Sequence, residues 1–158
     1  MLHIPFYNVL HGHGELERPV TLSETEELAN TTLTVLGRIM FSGIFLLGGI
    51  NHFVQYQQMV DYALSNNVPA AEVLVPLTGG MILLGGLSLL LGLQARLGAW
   101  LLVLFLIPTA FLMHHFWDVT DPQMAGFQMA HFMKNISLAG AALLFTRLGS
   151  GTGSLGHD

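Results

Sequence analysis

Four histidines, one lysine, one asparagine and two aspartates carry most of the chemistry this sequence offers: His52, His114, His115, His131, Lys134, Asn135, Asp118 and Asp121. His114 and Asp118 stand one helical turn apart, and His131, Lys134, Asn135 and Leu138 follow i, i+3, i+4, i+7, so one face of a helix can turn polar groups inward. Imidazole accepts and releases protons near neutral pH, and an intramembrane ammonium must find a partner. Together they could hydrogen-bond a quinone headgroup and relay its protons beside an apolar tail slot.

The same residues admit two other uses. Imidazoles, Trp117 and Tyr56 could anchor at headgroup level, with Lys134 reaching to water, Asp118 or Asp121. Alternatively, neutral imidazoles could ligate a metal or haem iron. That third use has less support, because no tight ligand motif occurs: adjacent helical residues point about 100° apart, so His114 and His115 do not readily share one ion. His11-Gly12-His13 is a weak metal pattern as well. A Gly-rich phosphate loop, a Gly-x-Ser-x-Gly elbow and a His-Glu-x-x-His helix are all missing.

Elements that could hold such a cluster follow from composition. Charged residues make up 9% of the 158 and hydrophobic ones 52%, with a mean hydropathy of +0.59, against roughly 25% charged in a soluble domain. The apolar residues fall in blocks long enough to span a bilayer core, which takes roughly 20 residues of helix. The formal charge of −5 includes no basic run, which excludes a nucleic-acid partner. Without cysteine, disulfides, thiolate ligation and thiol exchange are excluded too. The N-terminus lacks a basic n-region and an uninterrupted apolar core, so it does not read as a cleaved signal.

The expected fold is all-α: a polytopic four-helix membrane bundle with an interfacial helix after the first span. Residues 1–32 form a cytoplasmic arm and helix start, 33–147 the four-span domain, and 148–158 a flexible glycine-rich tail. Thr21 and Glu24 match a capping box that starts a helix near Leu22. Spans are expected over 33–52, 73–93, 97–113 and 129–145, with Gln94-Ala95-Arg96 as a tight turn. Arg38 would extend toward the headgroups, and Pro108 should loosen the third span. Tyr56, Met59, Val60, Ala63 and Leu64 recur at helical spacing among polar residues, as on a helix at the interface. Glycines at 43, 48, 49, 79, 80, 85, 86 and 140 read as close-packing positions.

Arg18, Arg38, Arg96 and Arg147 all fall on one side of a four-span arrangement, which makes both termini cytoplasmic. His52, His114, His115 and His131 then share the outward end.

Leu36-Gly37-Arg38-Ile39-Met40-Phe41, the run Leu46-Leu47-Gly48-Gly49-Ile50-Asn51-His52-Phe53, Phe116-Trp117-Asp118, Asp121-Pro122 and His131-Phe132-Met133-Lys134-Asn135-Ile136 resemble DoxX-family membrane proteins. The similarity covers about Leu36 to Phe145, and His-Phe-x-Lys-Asn is its most specific stretch. It implies a four-helix membrane bundle, a bacterial inner-membrane setting and a link to quinone-dependent redox metabolism. By position, Asn51, His52, Trp117, Asp118, Pro122, His131, Lys134 and Asn135 are the residues it singles out.

Two functions follow as expectations. In the first, the chain is an accessory subunit or partner of a quinone-linked oxidoreductase; His52, His114, His131, Lys134 and Asn135 form the cofactor site, and Asp118 and Asp121 are charge partners. In the second it is a non-enzymatic scaffold, with polar contacts locking its helices and glycine faces docking other subunits or a second copy.

Overall fold

Thr21 begins the first helix as its spacing to Glu24 predicts. In the computed structural model, which describes residues 21–149 and 151–156, the Thr21 N–H donates to Glu24 Oε2 at 2.8 Å and the Glu24 N–H donates to Thr21 Oγ1 at 3.3 Å. The arm before it, with His11, His13 and Arg18, lies outside the described residues, as do the last two residues of the tail. Five α-helices follow: α1 (Leu22–Val54), α2 (Tyr56–Ser65), α3 (Ala71–Leu91), α4 (Ala95–Met113) and α5 (Pro122–Leu148), with a 3-10 turn at Phe116–Asp118 before α5.

α1, α3 and the stretch from Ala95 to Asp118 are long and apolar enough to cross a membrane. α5 has 27 residues, about 40 Å of helix and enough for a crossing, but Gln123, Gln128, His131, Lys134 and Asn135 dilute its apolar character.

α1 packs on α3, α3 on α4 and α4 on α5. One stripe of α1, Arg38, Ser42, Phe45 and Gly49, is buried at the i, i+4, i+7, i+11 spacing of an inward face. Glycine brings α1 and α3 together: a Cβ on Gly49 would meet Leu83 Cγ at 2.5 Å and the Gly79 carbonyl at 3.1 Å. Gly43, Gly80 and Gly140, expected to serve the same purpose, have no atom within 4 Å of where a Cβ would stand. They face outward from this chain.

Pro76 lies inside α3 and cannot donate to the Glu72 carbonyl one turn back. The Tyr56 hydroxyl donates to that carbonyl at 3.0 Å, so α2 replaces the missing amide and is tied to α3. Val60 and Ala63 of α2 complete the contact, packing with Val68, Ala71 and Val75. Tyr56→Phe should therefore lower the midpoint of thermal unfolding in detergent, at a cost of about 1 kcal/mol, while leaving helix content unchanged by circular dichroism.

Two expectations near the opposite end are corrected. Arg38 does not extend outward; it is 2% exposed, with Nη1 donating to the Gly153 carbonyl at 3.4 Å. The tail read as a free linker is docked over 151–156, where the Leu155 N–H donates to the Leu91 carbonyl at 3.0 Å. Positive φ at Gly151 and Gly153 (65° and 69°) lets the backbone curl against α1, a conformation and proximity that side chains would oppose.

Candidate functional site

α1 ends early, and a cavity results. His52, in its last turn, stands beside Gly79 of α3, where a Cβ would meet His52 Cβ at 2.7 Å. The His52 ring also meets Phe105 of α4 edge-on, with centroids 6.1 Å apart. Phe105 precedes His114 by nine positions on α4, about 13 Å of helical rise. α3 and α4 thus run on past the end of α1, and the chain, broken at Gln55, turns into α2 and roofs the gap.

Beneath α2 lies a cavity of about 390 Å³, within the roughly 300–1,000 Å³ typical of small-molecule sites. Its wall is apolar except for His52, Tyr62, Thr78, Thr109 and His114. His52 and His114 border one space from different depths.

His52 Nδ1 lies 2.7 Å from the Gly48 carbonyl. A carbonyl only accepts, so this nitrogen donates, and in the neutral ring Nε2 is the acceptor. His114 Nδ1 lies 2.8 Å from Gln128 Oε1, which fixes the same tautomer. The His114 ring stacks on His131, centroids 5.1 Å apart and planes 21° apart, and Lys134 Nζ lies 3.3 Å from His131 Nδ1. Gln128, His114, His131 and Lys134 therefore form one chain of contacts across the α4–α5 seam. Phe132 of α5 holds that seam closed, edge-on to Phe111, Phe116 and Trp117 at 5.2, 5.6 and 5.9 Å.

The other candidates stand apart from this chain. Asn135 is 5% exposed. Asp121 Oδ1 accepts from the Met124 N–H at 2.8 Å, capping α5 ahead of Pro122, and Asp118 closes the 3-10 turn through its own N–H to the His115 carbonyl. His115 Nδ1 meets the Leu112 carbonyl at 3.2 Å, so the adjacent histidines do diverge. Among the described residues no group of three His, Asp or Glu could hold a metal ion.

Sequence reasoning passed over Gln128, Tyr62, Thr78 and Thr109. Gln128 had a signal: it precedes His131 by three residues and Asn135 by seven, on the same helix face. The three cavity hydroxyls had none, because no spacing rule relates α2, α3 and α4.

Residues 33–115, from within α1 through the His114–His115 pair, match the DoxX family model. The chain belongs to the DoxX family. The inner membrane protein YphA of Escherichia coli strain K12 is 31% identical over 127 residues, covering 80% of this chain and 90% of that relative. No solved structure matches it. This DoxX protein is an integral membrane protein. The family match includes His52, His114 and every helix that walls the cavity, while His131 and Lys134 lie C-terminal to the matched segment.

Proposed function

We propose that this protein crosses the membrane four times and serves as a subunit or partner of a quinone-linked oxidoreductase, with the quinone headgroup recognised at the outward end of the bundle. α5 supplies the fourth crossing, antiparallel to α4. Arg38, Arg96 and Arg147 then share one side, which supports a cytoplasmic C-terminus and, by parity, a cytoplasmic N-terminus. α2 lies near the outward interface, with Gln57 and Asp61 exposed on one face and Val60 and Ala63 buried on the other.

The reading rests on one observation: His52 and His114 face one apolar cavity of ligand size, and His114 continues through His131 to Lys134. An apolar space with a few convergent polar groups suits a small amphipathic ligand, and the linked imidazoles suit proton exchange with it. His131→Ala and Lys134→Ala are expected to abolish quinone-dependent activity in membranes while the protein still inserts. Unchanged activity in both variants would reject the role.

A scaffold role has an observation of its own. α5 buries only Asn135, Ala139 and Ala142 among its 27 residues, leaving most of its surface to lipid, another subunit or a second copy. In that case the same substitutions lower recovery of a complex, and purified protein retains no quinone.

A further inference from the structure

The ligand chemistry of the cavity follows from where its protons already are. His52 donates from Nδ1 to the Gly48 carbonyl, and His114 donates from Nδ1 to Gln128 Oε1. The Tyr62 hydroxyl donates to the Met113 carbonyl at 3.4 Å, and the Thr78 hydroxyl donates to the Leu74 carbonyl at 2.7 Å. Each has its hydrogen engaged and only lone pairs remaining. Thr109 is the exception: among the described residues its hydroxyl has no hydrogen-bond partner, so it can donate as well as accept.

A ring carbonyl, which only accepts, would therefore face four acceptors and one donor. A hydroxyl satisfies the same wall: it donates to an imidazole Nε2 and can accept from Thr109. We propose that the cavity selects an apolar arene bearing a free hydroxyl, a phenol or quinol, over the corresponding quinone. The proposal rests on the reading of this outward end as a ligand site and specifies which redox form that site holds. The Lys134 ammonium does not alter the balance, because it meets His131 and neither residue lines the cavity.

The test compares three probes that share a six-membered ring and a hexyl tail on the full-length protein in detergent, under anaerobic conditions, by calorimetry: hexylhydroquinone, its dimethyl ether and hexylbenzoquinone. The hydroquinone should bind about tenfold or more tightly than either of the others, the size of effect expected when a buried acceptor keeps or loses its donor. In His52→Leu and His114→Leu that advantage should shrink while binding of the ether is retained. Equal or tighter binding of the quinone, or no binding of any probe, would overturn the proposal. The probe series on the unmodified protein decides the matter even if a variant fails to fold. Failure of the oxidoreductase role would appear separately, as hydroquinone-selective binding with quinone-dependent activity unaffected by loss of His131 or Lys134.

Discussion

Gly85→Ala is expected to destabilise the folded protein by about 1–3 kcal/mol, the usual cost of overpacking a tight contact, whereas Gly80→Ala in the same helix should be neutral or slightly stabilising. A Cβ at position 85 would meet Leu102 Cδ2 at 2.7 Å and the Gly98 carbonyl oxygen at 3.0 Å. The leucine tip can rotate; the carbonyl belongs to α4 and moves only with its helix. The contact is reciprocal, since a Cβ on Gly98 would meet Ser88 Cβ at 2.5 Å and the Gly85 carbonyl at 3.1 Å. Position 80 meets nothing within 4 Å, so alanine there adds only its better helix propensity, up to about 1 kcal/mol. Unfolding titrations in mixed micelles measure both variants. Equal costs would mean that the α3–α4 crossing is looser than these distances require.

The same pair of glycines shows what hydropathy and composition could reveal. Both lie in one apolar run, and nothing in that run separates Gly85, wedged against α4, from Gly80, facing outward. Which glycine packs is decided by the rotation of α3 about its axis, and α3 is apolar on all sides, so no polar face marks that rotation. Local signals were more informative. The Thr21–Glu24 box marked the start of α1 to the residue, because capping depends on four consecutive positions. The one-turn spacing of His131 and Lys134 was legible for the same reason, lying within a single helix, but their contact was not, since Lys134 was assigned to water, Asp118 or Asp121. Contacts between helices were not: the stacking of His114 on His131 and the depth of His52 depend on where each helix ends. α1 ends at Gln55, which is neither glycine nor proline, so the break that creates the cavity has no mark of its own. Arg38 was misread because a charge near the end of a membrane helix ordinarily reaches for water, and only the docked tail explains its burial.

His114 joins the cavity to the α4–α5 seam, so its removal is expected to affect both function and stability. His114→Ala should reduce quinone-dependent turnover by about a hundredfold, at the lower end of what a positioned proton-transfer group contributes. It should also weaken the seam, because Gln128 Oε1 loses its donor and the His131 ring its stacking partner. Gln128→Leu removes the other half of the hydrogen bond, freeing the His114 ring while leaving it present. If the two side chains act as the geometry indicates, a double-mutant cycle in unfolding free energy will give a coupling of about 1–2 kcal/mol, within the range for residues in direct contact. Turnover in Gln128→Leu should fall by less than in His114→Ala, since the imidazole remains but its tautomer is no longer held. Coupling near zero with turnover still lost would assign His114 to chemistry alone, whereas full coupling with turnover retained would make it a structural joint and favour the scaffold role.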